Sequence, residues 1–359
     1  MEIAEAVTGP FVTGGVDTHK DLPVAAVVAA RDRALASQRF ATTRHGYKQM
    51  LAWTRSFGPL RRVGVEATGT YGAALLRHPQ RAGVEVLEVT APDRSDRRKR
   101  GKNDALDAQN AAHAAFAGTR TAPPKSRDGM VESLRVLKAC RKTAVAARRA
   151  ALQVIHNTVV CAPAGLRDPL RRRTRMELIR ALAAWRPDRA DHRNVASAYW
   201  ITLRSLARRH LEPHDGVADL DSMIAATVEG LAPNRVAQDA VSHESAAQLL
   251  LAAGGNAERP HPEASFAALC GVSPVPAPSG KANRHRLNRG GDRAANSAPH
   301  LIATGRLRTD PRTKACVARR IAEGHSRLEA TRCLKRHIAR EVFSLISQRR
   351  REIKQQTAA

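Results

Sequence analysis

Four acidic residues stand at positions where carboxylates can do chemistry, in a chain whose other charges are overwhelmingly positive. Asp17 closes the short apolar run Val12-Thr13-Gly14-Gly15-Val16, and Glu66 closes Arg62-Val63-Gly64-Val65. Asp104 and Asp107 open an alanine-rich helix behind the basic run Arg97-Arg98-Lys99-Arg100, and their i, i+3 spacing puts both on one helix face. Two strand ends and one helix can converge on a divalent ion. Oxygen ligands suit Mg²⁺ (or Mn²⁺), and metal ions held this way activate a nucleophilic oxygen and stabilise the leaving oxygen of a phosphodiester. Each acid alone has a plainer use: Asp17 as a turn residue, Glu66 as a cap, Asp104 and Asp107 as charges favoured at a helix N-terminus. Their order and their placement on successive elements point to metal instead, and the metal is what makes their common ionisation tolerable.

A second constellation lies downstream, in Pro274-Val275-Pro276-Ala277-Pro278-Ser279-Gly280-Lys281 and Arg284-His285-Arg286-Leu287-Asn288-Arg289-Gly290-Gly291-Asp292-Arg293. Prolines stiffen the approach, Gly280 frees the backbone beside Ser279, and nearby cations can bind phosphate and ease formation of an alkoxide. Taken alone, a Ser-Gly pair in a loop is a turn. The candidate phosphate contacts are Arg97, Arg98, Lys99, Arg100, Lys102, Lys281, Arg284, Arg286, Arg289 and Arg293.

The elements that must position these residues follow from hydrophobic periodicity. Residues 12 to 117 predict a strand ending at Asp17, a hairpin from Val24–Ala30 and Ala34–Ala41, a helix from Arg44 to about Phe57, a strand ending at Glu66, a helix from near Tyr71, a strand Val84–Val89 and a helix from Asp104 to Ala117. That order matches a ribonuclease H-like α/β domain, broken off at Pro123-Pro124. Val131 to about Val160 reads as a helix whose seam is Leu137, Cys140, Ala144, Ala147, Ala151, Val154 and Thr158, flanked by Lys138, Arg141, Lys142, Arg148 and Arg149. It suits a partner helix, a nucleic acid, or packing on its own domain. Trp185, Tyr199 and Trp200 in the Arg-rich stretch from Leu166 to about Arg209 are expected as buried anchors, and the chain is helical again from Leu220, broken by Gly254-Gly255, Pro260, Pro262 and the loop Ser273 to Arg289. The expected domains are 12–120, a helical, coiled-coil and basic region 128–228, and 229–350.

Composition bounds the partner. Lys+Arg 60 against Asp+Glu 33 in 359 residues gives a formal net charge of +27, and such a surface binds polyanions with strong salt dependence. A packing protein of ribosomal or chromatin type would share this charge. Hydrophobic content of 43% argues against wholesale disorder. Five cysteines, scattered and odd in number, suit reduced thiols rather than a zinc site or disulfide frame. The longest apolar stretch, Leu22 to Ala30, is too short to span a membrane, so no membrane partner and a soluble, cytoplasmic protein are expected.

The motifs themselves resemble a known family. Gly15-Val16-Asp17-Thr18-His19-Lys20, Val65-Glu66-Ala67-Thr68-Gly69-Thr70-Tyr71-Gly72 and Lys102-Asn103-Asp104-Ala105-Leu106-Asp107-Ala108 resemble the N-terminal motifs of DEDD transposases of bacterial insertion-sequence family 110. Phe266-Ala267-Ala268-Leu269-Cys270-Gly271-Val272-Ser273-Pro274, Ser279-Gly280, Arg284 to Asp292 and Arg332-Cys333-Leu334-Lys335-Arg336 resemble the family's C-terminal domain. The resemblance implies a RuvC-like domain with Asp17, Glu66, Asp104 and Asp107 as its acidic tetrad, joined through a coiled coil to a mainly helical domain whose Ser279 is the nucleophile. It further implies recombination of double-stranded DNA through a covalent serine–DNA intermediate, guidance by a structured noncoding bridge RNA, homo-oligomers from dimer to tetramer, and a bacterial, nucleoid-associated location. Two other readings stand beside it: a RuvC-like structure-selective nuclease in which Ser279 is only a turn residue, and a nucleic-acid-binding remnant without catalysis. The sequence departs from the family at Pro79 and Pro299, inside expected helices, and at Ala240 and Ser242, where a helix-hairpin-helix-like turn has glycines.

Overall fold

The computed structural model describes residues 11–29, 33–69, 71–89, 103–188, 190–233, 240–256, 262–277 and 285–358. The chain divides into two compact units, residues 1–127 and 128–359. The second unit therefore holds both the middle and the C-terminal segments.

The first unit is a sheet between helices. Its strands are β1 (Val12–Asp17), β2 (Val24–Val28), β3 (Ala34–Arg39), β4 (Leu60–Glu66), β5 (Glu85–Val89) and β6 (Thr121–Ala122), in the spatial order β3-β2-β1-β4-β5-β6. β1, β4 and β5 run parallel, while β2, β3 and β6 pair antiparallel with their neighbours. Because side chains alternate across a strand, one residue set faces each side. Val16, Ala25, Val63, Val65 and Val86 share a core with Tyr47 and Met50 of α1 (Arg44–Arg55) and Leu75 and Leu76 of α2 (Gly72–Arg81). The opposite set meets α3 (Asp104–Ala117), through Val24 and Ala26 with Ala108, and Val89 with Ala111 and Ala114. These bounds agree with the expected elements to within two or three residues at the ends.

α3 lies on the sheet without intervening side chains. A Cβ at Gly15 would sit 2.2 Å from the Ala108 carbonyl oxygen and the Ala112 nitrogen, and one at Gly64 would sit 2.3 Å from the Ala111 carbonyl oxygen. Two strand glycines opposite a helix rich in alanine allow that approach.

The second unit is built on two long helices, α4 (Gly129–Val160) and α7 (Val195–Leu231), with α5 (Ala164–Arg171) and α6 (Arg175–Ala184) between them. α4 and α7 run antiparallel, since Leu134 clusters with Ile224 and Val228 at one end and Ile155 with Leu203 at the other. The seam differs from the expected one. Leu137, Ala144, Ala151 and Thr158 do turn inward, but Cys140, Ala147 and Val154 are exposed, and the second inward column is Leu134, Arg141, Arg148 and Ile155. Two arginines inside the seam hide it from any search for apolar repeats. Arg141 pairs with Asp221 and Arg148 with His214, so the partner of α4 is α7 of the same unit. Trp185, Tyr199 and Trp200 pack against the Ile155 core, and the Tyr199 hydroxyl donates to the Cys161 carbonyl at 2.8 Å.

The Leu134 core continues into α8 (His243–Ala253), α9 (Glu263–Leu269), α10 (Arg293–Thr309), α11 (Pro311–Ala322) and α12 (Arg327–Ala358). Within the expected loop from Ser273 to Arg289, Val275–Pro276 (β7) and His285–Arg286 (β8) form an antiparallel ribbon. α2 and α10 continue through Pro79 and Pro299, both buried, with Pro79 in the last turn. Ala240 has φ +62°, the left-handed conformation glycine favours, so alanine carries a backbone cost here. Its methyl nests over Gly305 of α10, where a Cβ would approach it to 2.6 Å. Ser242 instead serves as the N-cap of α8 and accepts from the Ser245 N–H at 3.2 Å. No helix among the described residues is long and apolar enough to cross a membrane.

Candidate metal centre

Strand alternation determines which acids meet. Asp17 lies two residues beyond Gly15 and Glu66 two beyond Gly64, so both belong to the sheet face that carries α3. The parallel register pairs Val16 with Val65, setting Asp17 and Glu66 side by side at the C-terminal strand ends, and the Thr18 hydroxyl ties those ends by donating to the Glu66 carbonyl at 3.1 Å. α3 begins over the same place: Asn103 caps it, accepting from the Ala105 N–H at 3.0 Å, and Asp104 and Asp107 occupy its first turn.

One atom each from Asp17, His19 and Asp104 lie within 4.8 Å of one another. His19 was not singled out from the sequence as a site residue, though it stands two positions beyond Asp17 in the same motif. Its Nε2 lies 3.1 Å from Asp17 Oδ2 and 3.5 Å from Asp104 Oδ1, and Arg39 approaches Asp104 at 3.8 Å. Asp107 is 1% exposed, which removes the solvated-face explanation for it. Burial raises the Asp17 pKa above its ordinary value, the charges of Asp107 and Asp104 raise it further, and His19 opposes them. The donor set therefore fits a divalent cation. Its oxygens are of the hard type and their spacing matches ligand bonds of about 2.0–2.6 Å. Glu66 flanks this cluster from β4 rather than joining its three closest donors.

The loop after β4 is held in a strained form. Ala67 has φ +49°, and Thr68 is buried with its hydroxyl donating to Glu88 Oε1 at 2.6 Å.

Of the second constellation, Arg286, Arg289 and Arg293 are exposed along β8 and the start of α10. Ser279, Lys281 and Arg284 lie outside the described residues, as do Arg97, Arg98, Lys99, Arg100 and Lys102. The base of the ribbon is firmly built. Gly271 (φ +62°) and Gly291 (φ +81°) cross so closely that a Cβ at Gly271 would lie 2.7 Å from the Gly290 carbonyl oxygen. Asn296 donates to the Cys270 and Gly271 carbonyls at 2.8 and 3.0 Å and accepts from Lys335 Nζ at 2.7 Å. Desolvation holds the Lys335 pKa below its usual value. Asn296, which sequence reasoning did not single out, ties the base of the ribbon to α12.

Comparison with known families bears on both regions. A model of DEDD transposases of the IS110 type, described as Transposase, matches residues 14–160, and the model described as Transposase IS116/IS110/IS902 family matches residues 239–318. The chain belongs to the IS110 family of DEDD transposases. No curated protein matches it. As an IS110-family transposase it acts on DNA and belongs to a family that uses divalent metal. The first matched segment of this transposase contains Asp17, His19, Glu66, Asp104 and Asp107, and the second contains Ser279.

Proposed function

We propose that the protein is a recombinase that cuts and rejoins double-stranded DNA, with Asp17, Glu66, Asp104 and Asp107 of a ribonuclease H-like domain as its Mg²⁺-binding (or Mn²⁺-binding) acids and Ser279 as its nucleophile. The observation that carries this reading is the Asp17–His19–Asp104 cluster at the first turn of α3, backed by the buried Asp107. A divalent cation held by these acids would supply Lewis-acid stabilisation of charge that builds on a phosphate. The protein's own groups do the rest. Asp17 and Asp104 would hold ligand oxygens in place, with His19 and Arg39 beside them, and the close seat of α3 on Gly15 and Gly64 keeps them from spreading.

Ser279 attacks a DNA phosphate, forming an Oγ–P bond as the bond to one sugar oxygen breaks, and that oxygen leaves with a proton. An incoming sugar hydroxyl reverses the exchange and frees the serine. Arg286, Arg289 and Arg293 bind phosphates flanking the ribbon. A structured noncoding RNA selects the DNA, and the active assembly is a homo-oligomer. The net charge of +27 supports binding to both nucleic acids.

Trapping with a suicide DNA substrate, denaturation and peptide mapping test the serine step. The expected adduct maps to Ser279 and is lost in Ser279→Ala. An adduct that persists in that variant assigns the cutting to a metal-dependent nuclease without serine chemistry. Sequence-selective recombination that is equal with and without RNA overturns the guidance.

A further inference from the structure

The α4/α7 pair and α6 border, towards the Ile155 end, an open cavity of about 420 Å³ lined by Arg148, Arg149 and Leu152 of α4, Arg175 and Met176 at the start of α6, and His210 and His214 of α7. Among the described residues no carboxylate lines it. Elsewhere in this unit inward arginines face acids: Arg141 meets Asp221, Arg306 meets Glu341 and Arg336 meets Glu263. Arg148 is instead 3.1 Å from His214 Nδ1.

Hydrogen-bond bookkeeping fixes the polarity of the cavity. Arginine only donates, so His214 Nδ1 accepts and its proton sits on Nε2, as a further donor. His210, 4% exposed, donates from Nδ1 to the Arg148 carbonyl at 3.0 Å, which locks its ring against α4. Arg175 occupies the first position of α6, where the helix dipole favours an anion. Glu177, the acid of that turn, is engaged by the Thr174 backbone N–H at 3.0 Å in a capping box. Three arginines, Arg148 half-buried and Arg149 and Arg175 exposed, thus line a concavity beside two apolar side chains, with room for more than a bare phosphate.

We propose that this cavity binds a phosphate of a single nucleic-acid strand, with the arginines on its oxygens and Leu152 and Met176 against the adjoining sugar or base. A double helix is too wide to enter; one strand is not. The proposal rests on the nucleic-acid-binding role above and adds a place where a strand is held, far in sequence from the acids and from Ser279.

The test uses the full chain, a short fluorescent single strand of RNA or DNA, and anisotropy titrations at several salt concentrations. Removing two phosphate contacts with Arg148→Gln plus Arg175→Gln is expected to weaken binding about tenfold and to flatten the log–log salt slope by about 1.4. Arg175→Glu alone should also weaken it severalfold. A glutamate suits the first turn of a helix, so that loss cannot be put down to unfolding, and circular dichroism checks the point. The charge-matched control Arg312→Gln plus Arg319→Gln, on exposed positions of α11, should have a smaller effect. Wild-type affinity and slope in the cavity variants, or an equal loss in the control, overturns the proposal while leaving nucleic-acid binding standing. A wild-type protein that binds neither strand overturns both. Displacement of the strand by micromolar inorganic phosphate or adenosine monophosphate would show a free-nucleotide pocket instead.

Discussion

The first turn of α3 and the middle of the α4/α7 pair both withdraw charge from water, with opposite signs and different company. At α3 the acids Asp17, Asp104 and Asp107 gather, with His19 beside Asp17 and Asp104 and the exposed Arg39 beside Asp104. In the helical pair Arg141 is matched by Asp221, which raises the arginine's pKa, whereas seven residues further on Arg148 faces His214. Charge that is buried and matched holds two helices in register. Charge gathered beside its like suits a ligand of opposite sign from outside the fold, the cation and the anion proposed above.

The largest effect should come from removing acid at the first of these places. Asp104→Asn, and likewise Glu66→Gln or Asp107→Asn, is expected to bring recombination in Mg²⁺ to background while DNA binding, carried by Arg and Lys, stays near wild type. Wild-type turnover by Asp104→Asn would take that residue out of the site and leave the comparison without its acidic half.

Geometry comes next. Gly15→Ala drives a methyl into the backbone of α3, and a loss of about 3 kcal/mol in chemical denaturation is expected, with metal binding lost alongside. Gly216 on α7 has open space around its Cβ position, so Gly216→Ala should gain about 1 kcal/mol from helix propensity. Equal effects at the two glycines would mean that α3 is not seated as closely as described.

Ala240→Gly should likewise gain about 1 kcal/mol by relieving the left-handed backbone at φ +62°. A loss on that change would show that the methyl's seat on Gly305 outweighs the strain.

The smallest effect is a pH dependence. Because the folded pKa of Asp17 is raised, its protonated form favours the metal-free fold, and that contribution fades as pH climbs from 3.8 through the raised value. Metal-free Asp17→Asn should therefore be more stable than wild type at neutral pH, with the gap closing below pH 3.8. In wild type, stabilisation by Mg²⁺ should grow over the same rise in pH. A thermal-shift series that is flat for both proteins would remove the electrostatic strain inferred at Asp17.

Much of the first unit was legible because period-two strands and capped helices leave local marks. Asp17, Glu66 and Asp104 could be placed at element ends from the apolar runs before them and the alanines behind. His19 was not, since a histidine two residues past a strand looks the same whether or not a helix brings Asp104 to meet it. The seam of α4 was half legible for a related reason. Leu137, Ala144, Ala151 and Thr158 follow the apolar repeat, but Arg141 and Arg148 face inward only because Asp221, His214 and His210 stand across from them.

Composition and order by themselves established a basic, nucleic-acid-directed chain, the run of strands and helices through Ala117, and four acids at the ends of those elements. Tertiary structure alone decided that α3 lies backbone-to-backbone on Gly15 and Gly64, that His19 meets Asp17 and Asp104, and that Arg148 and Arg175 share a cavity that no carboxylate among the described residues lines. Periodicity is written in residues a few positions apart, so it survives in the sequence. Whether a charge is matched depends on residues from 27 to 87 positions away, such as Arg175 from Arg148 and Asp104 from Asp17, and only the folded chain brings them together.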